Sequence, residues 1–412
     1  MLDATTVLAT TGLVAVAAVA AAAAFRRTRV PDVLLLLVAG ILAGPALHVV
    51  PAALFRALAP VASIAAVLVI LFDGGLDIRV KELRRGAGPA LAVALLAFAA
   101  TGALATLAAW LLLGLSLPLA ALLGLSFGGA GVAIVLPLIQ RMGVSSRASA
   151  LVSLETALAD VLLVVGVFSV SSVLAQEGGG GVPWLAFRVA ASFLVAVAVG
   201  VLAGALWVRT LDAPWARGHE SLATVGALFL TYGAAETLYG SGPLAVLAFA
   251  LVLGNTRHAR TIAPARHGVA APPTFHRQAA LAIRAFVFVG LGATFDPGVL
   301  LQPRLLLFAA ASCAAIVLAR VLAVGLAARR LLPSRWDRTA VTLMFPLGLP
   351  TAAASLIPST RFGLAGTAAF PQLAAIVILL SILLSSLLVA IVLQPAVRRR
   401  LEGHPGAAAS VR

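Results

Sequence analysis

Three charge-free runs, Thr6 to Phe25, Ala87 to Gly114 and Phe370 to Pro395, constrain this chain more than anything else in it. Each reaches the roughly 20 residues that a helix needs to cross a hydrocarbon core, so they are predicted to be transmembrane helices. Hydrophobic residues make up 62% of the chain and charged ones 10%, against about 25% charged in a soluble domain, which excludes a water-soluble fold. The first run is not read as a signal peptide, because its basic cluster (Arg26, Arg27, Arg29) follows the apolar stretch instead of preceding it. A net charge of +15 is explained by basic residues at the cytoplasmic ends of membrane helices, not by nucleic acid. The single cysteine, Cys313, lies in an apolar run and has no partner for an internal disulfide.

Charged, Pro-rich and Gly-rich punctuation divides the sequence into about thirteen apolar segments, near residues 6–25, 31–50, 59–78, 87–114, 118–140, 149–174, 183–209, 220–238, 242–255, 278–295, 304–328, 338–358 and 367–395. The connecting loops sort into two sets. Those after odd-numbered segments carry most of the arginines, among them Arg79, Arg84, Arg85, Arg141, Arg147, Arg257, Arg260, Arg329 and Arg330, whereas those after even-numbered segments carry only Arg56, Arg304 and Arg361, with Arg188 at the edge of the seventh segment. The positive-inside rule then puts the N-terminus outside and the C-terminus in the cytoplasm, in a cell (inner) membrane. Residues 1–398 form one transmembrane domain in this reading, and 399–412 a short cytoplasmic tail.

Two segments are interrupted. The fifth contains Gly128, Gly129 and Gly131 followed by Pro137, and the twelfth contains Pro346, Gly348 and Pro350. Proline removes a backbone donor and clashes with the preceding turn, so such stretches break or kink. Glycines in one segment alone are equally explained by close helix packing. Two interruptions seven segments apart run in opposite directions, as inverted repeats require, and point to a substrate site between them. The expected fold is therefore all-α, polytopic, with inverted repeats and two crossed discontinuous helices.

Most of the acidic residues lie in loops or at segment ends, whereas Glu155 and Asp160 lie inside the sixth segment and the basic residues Arg284 and Arg320 inside the tenth and eleventh. Such groups are costly at membrane depth and are kept for pairing or function. Glu155 and Arg284 are read as a structural ion pair. Asp160 is surrounded by Ala157, Leu158, Ala159 and Val161, which offer no side-chain donors. A carboxylate so placed can hold either a proton or a monovalent cation, and alternating access turns that competition into antiport. Thr156 is one turn earlier on the same face and is a neutral ligand candidate. Asp73, before Gly74 and Gly75, either faces a funnel or is an ordinary interfacial acid, as Asp77 is taken to be.

On these residues the sequence resembles the monovalent cation:proton antiporter superfamily, over essentially its whole length. Leu71-Phe-Asp-Gly-Gly-Leu-Asp-Ile78, Ser153-Leu-Glu-Thr-Ala-Leu-Ala-Asp160, the stretch from Ser241 to Asn255, and Arg284-Ala-Phe-Val-Phe-Val-Gly-Leu-Gly292 are similar to family segments in the same order and spacing. The resemblance implies sodium/proton or potassium/proton exchange, a homodimer and a mobile core carrying the crossed helices. It implies an essential ion-binding aspartate at Asp160 with Thr156 as accessory ligand, an acid near the pathway at Asp73, and a core pair of Glu155 with Arg284. The sequence departs from the family pattern twice. Ala159 stands where the family has Asn or Asp before the essential aspartate, which resembles the electroneutral branch, and Ala130-Gly131-Val132 replaces an acid-bearing motif in the fifth segment. The backbone carbonyl of Ala130 is then the expected substitute ligand.

No cofactor is called for. The substrates implied are a monovalent cation and protons, with membrane lipid as the surroundings and no nucleic acid. A crossed-helix symporter of organic anions shares the architecture, and a channel or sensor is a third reading. An enzyme is disfavoured, since no His-Glu-x-x-His helix or activated nucleophile is present.

Overall fold

The computed structural model describes residues 3–28, 30–78, 88–175, 182–211, 219–256, 275–329 and 331–402. Arg79, Arg84, Arg85, Arg257, Arg260, Arg330 and the last ten residues, all invoked for orientation or the tail, lie outside them. Helices form in every apolar segment: α1 (Ala4–Thr28), α2 (Asp32–Ile41), α3 (Ala52–Asp77), α4 (Gly88–Ala108), α5 (Leu117–Leu125), α6 (Val132–Arg141), α7 (Ser146–Leu174), α8 (Val182–Thr210), α9 (Glu220–Thr237), α10 (Gly242–Gly254), α11 (Phe275–Ala293), α12 (Pro303–Ala323), α13 (Arg335–Thr342), α14 (Leu349–Thr360), α15 (Phe370–Val392) and α16 (Pro395–Glu402). Seven of the described helices are long and apolar enough to cross a membrane, and the pieces of the fifth and twelfth segments are short because each is broken. The last helix, α16, runs across the boundary expected between residues 398 and 399.

The inverted repeat is visible in the packing. The helix α1 lies on α2 as α9 lies on α10, α2 on α11 as α10 on α3, α4 on α7 as α12 on α15, and α6 on α7 as α14 on α15. The mates α4 and α12 also pack on each other. They match in form too. Each continues into a π-helical turn, Ala109–Leu113 and Val324–Ala328, and with it each is 26 residues long. Helices α1, α2, α3 and α8 to α11 make a panel, and α4 to α7 with α12 to α15 make a core, joined along α3, α7 and α14.

At the centre of the core the two broken segments touch through their glycines. A Cβ placed on Gly131 would come within 2.9 Å of the Gly348 Cα, and one placed on Gly348 within 2.7 Å of the Gly131 Cα. Real Cβ atoms do not approach so closely, so only glycine permits this crossing. Every backbone polar group exposed by a break must find a partner in lipid. The Gly131 N–H donates to the Pro346 carbonyl at 2.8 Å, which pairs one break with the other. Side chains of α15 serve the second break: Ser381 Oγ accepts from Leu347 N–H at 3.0 Å, and Ser385 Oγ donates to the Leu343 carbonyl at 2.7 Å.

Replacing Gly348 by valine is expected to force the segments apart and cost at least about 3 kcal/mol, the upper range of overpacking penalties. A thermal melt of detergent-solubilised protein checks this; an unchanged melting temperature would contradict the contact.

Candidate functional site

Asp160 lies midway along α7 and is buried. Its Oδ1 accepts the Ala130 backbone N–H at 3.2 Å, so the break between α5 and α6 supplies the donor that no neighbouring side chain offers. Gly129 makes this approach possible: a Cβ there would stand 2.9 Å from Asp160 Oδ1 and 2.7 Å from a Leu163 methyl. Gly128 is likewise pressed against the Phe98 ring. Ala130 thus meets Asp160 through its N–H, a contact separate from the carbonyl expected as a cation ligand.

A cavity of about 100 Å³ reaches Asp160, with Asp73 and Gly74 from α3, Ala157 from α7 and Arg284 from α11 in its wall. It is closed by the first residues of both second half-helices, Val132 and Ala133 of α6 and Leu349 and Pro350 of α14, beside Gly131 and Gly348. Two helix N-termini thus converge on it, and their positive ends favour a carboxylate held without a cationic side chain. Among the described residues no guanidinium pairs with Asp160. Thr156 is buried behind the wall, its hydroxyl donating to the Val152 carbonyl one turn back.

The expected Glu155–Arg284 pair does not form. Glu155 Oε1 instead takes Arg320 Nη1 at 2.5 Å, both side chains being almost wholly buried. The reason lies in the packing: Glu155 faces the core, where α12 supplies Arg320, whereas α11 belongs to the panel and turns Arg284 toward the cavity. Arg320 Nε also donates to the Val341 carbonyl at 3.3 Å, near the end of α13, where the negative end of a half-helix favours a cation. Arg284 pairs with Asp32 at the start of α2, at 3.0 Å. Sequence reasoning missed Asp32 because, at the edge of its segment, it looks like an ordinary interfacial acid. It also missed Ser381 and Ser385, although their spacing of four in an otherwise apolar run was a usable signal.

A third ion pair bridges core and panel. Arg361, just after α14, donates to Glu236 near the end of α9 at 2.7 Å. The other Glu236 oxygen accepts the Gly242 N–H at the start of α10, at 2.9 Å.

The family model described as sodium/hydrogen exchanger, transmembrane, matches residues 14–397. The chain belongs to this family. The potassium/proton antiporter NhaP2 of Shewanella oneidensis is 29% identical over 201 residues, 46% of this chain and 33% of that protein. The NhaP2 of Shewanella sp. strain MR-4 is 28% identical over the same extent. The chain thus spans about a third of the length of the curated relatives it matches. Among solved structures, the sodium proton antiporter MjNhaP1 of Methanocaldococcus jannaschii superposes with a TM-score of 0.76 at 21% identity, covering 93% of this chain and 97% of the other. That likeness shows the fold.

Removing Arg320, as in Arg320→Ala, strands the Glu155 charge in the core and is expected to cost about 3–5 kcal/mol. Folded yield by size-exclusion chromatography should fall far more for Arg320→Ala than for Arg284→Ala, since Arg320 and not Arg284 holds Glu155.

Proposed function

We propose that this chain exchanges a monovalent cation, sodium or potassium, for protons across the membrane, with Asp160 holding each in turn. One observation carries the reading: a buried carboxylate, unpaired by any described guanidinium, sits where a cavity meets both helix breaks. A group in that position exchanges one small cation for another because binding either removes the other. The cation's further oxygen ligands would come from the backbone of the breaks, from Thr156 and, toward the mouth, from Asp73. Two carboxylates in the cavity wall disfavour the organic-anion reading.

The membrane topology belongs to the same proposal. Thirteen spans with the N-terminus outside and the C-terminus inside follow from the arginine distribution, with residues 1–398 as the exchanger and 399–412 as a cytoplasmic tail. The cavity then opens to the cytoplasm, since Asp32, Asp73 and Arg284 lie toward that side, and the Arg361–Glu236 pair closes the outer side. Movement of the core against the panel would break that pair and turn Asp160 outward. A homodimer along the panel, whose helices α1 and α8 leave most of their apolar stretches uncovered, belongs to the same proposal.

Fluorescence dequenching in vesicles, with sodium and potassium pulses across an imposed pH gradient, tests the exchange. Wild type is expected to respond to at least one ion and Asp160→Asn to neither; retained exchange in the variant would sink the mechanism. With one carboxylate turning over, transport should be electroneutral, so current recorded from reconstituted protein during exchange would contradict the one-for-one ratio.

A further inference from the structure

Asp32 is held from two sides. Its Oδ2 accepts Arg284 Nη1 at 3.0 Å, and its Oδ1 accepts the Val33 N–H at 2.9 Å in the first turn of α2. The distance between the two helices is fixed by backbone contact further along. A Cβ on Gly40 would lie 2.3 Å from the Val289 carbonyl oxygen, and one on Gly292 2.3 Å from the Leu37 carbonyl oxygen. Helices that close cannot part or slide without losing the packing, so Asp32 stays opposite Arg284. The Arg284 side chain is 25% exposed and stands in the wall of the same cavity as Asp160 and Asp73, with Val33 beside it.

We infer that Asp32 is a positioning residue for the cation site, which holds the Arg284 guanidinium at the cavity rim so that it does not compete with the transported ion for Asp160. This rests on the exchange reading above. Among the described residues the charges at the cavity are Asp160 from α7, Asp73 from α3 and Arg284 from α11, with Asp32 of α2 on Arg284. Glu155 is committed to Arg320, and the stretches 126–134 and 344–351 at the breaks carry no ionisable side chain. With no acid in the fifth segment, one released positive charge would offset much of the attraction that the cavity offers a cation. Free of Asp32, the flexible arginine would be able to turn to the carboxylates that share the cavity wall with it, Asp73 and Asp160.

The test is the apparent KM of the full chain in proteoliposomes, for whichever of sodium or potassium wild type exchanges, at alkaline pH where protons no longer compete. Asp32→Asn is expected to raise KM about tenfold or more, the effect of one unit charge at cavity distance, with the maximal rate within about twofold. Asp32→Glu should stay near wild type. Arg284→Gln should lower KM, and the double variant Asp32→Asn with Arg284→Gln should return to within about threefold of wild type because the freed charge is gone. A freed guanidinium repels proton and cation alike, so the gap between Asp32→Asn and wild type should narrow as pH falls; a merely structural defect would leave it constant. An unchanged KM in Asp32→Asn, a double variant as impaired as the single, or a constant gap would each overturn the inference. Should Asp32→Asn fail to give a monodisperse protein, Arg284→Gln decides alone: a raised KM overturns the inference and a lowered one supports it. Wild type that exchanges neither ion would count against antiport itself, a result distinct from all of these.

Discussion

The contact of Gly131 with Gly348 is the point on which the rest of the structure depends. Two chains can cross this closely only where neither bears a side chain, and crossing there leaves backbone groups of both segments unsatisfied within an apolar core. The surrounding helices are arranged to meet them. Asp160 takes an N–H from one break, Pro346 and Gly131 join the breaks, and Ser381, Ser385 and Arg320 serve the other. Asp160 is thus also part of the accounting that lets the helices break. Fold and site are the same solution to one problem of unpaired backbone.

The buried charges divide by the same geometry. Arg320 and Glu155 lie within the core and bind α12 to α7, next to the C-terminal end of a half-helix. Arg284 and Asp32 lie within the panel, and Arg284 lines the cavity. Arg361 and Glu236 join core to panel, and theirs is the pair that a motion between the two bodies must disturb. Asp160, by contrast, meets the helix N-termini and a backbone N–H and pairs with no guanidinium among the described residues.

Much of this was legible in the residues. The glycine and proline clusters marked both breaks, the seven-segment offset gave their antiparallel relation, and the bare surroundings of Asp160 singled it out. Partners were not legible. Glu155 and Arg284 share the character of buried charges, yet the pair they suggested fails, because pairing depends on which of two bodies a helix joins, and helical periodicity carries no record of that. Ala130 was found for its position as a carbonyl ligand, but its N–H bond to Asp160 was not, since a broken backbone presents both its N–H and its carbonyl.

By itself, then, the sequence determined the solvent of this protein, its helices, the places where two of them break and the acid between them, since hydropathy, glycine and proline act locally along the chain. Tertiary structure alone decided that the breaks meet at Gly131 and Gly348, that Arg320 takes Glu155, and that Asp32 holds Arg284 at the rim of the cavity. The physical reason is that these contacts join residues more than a hundred positions apart, and their geometry is fixed by how whole helices cross, which no local pattern encodes.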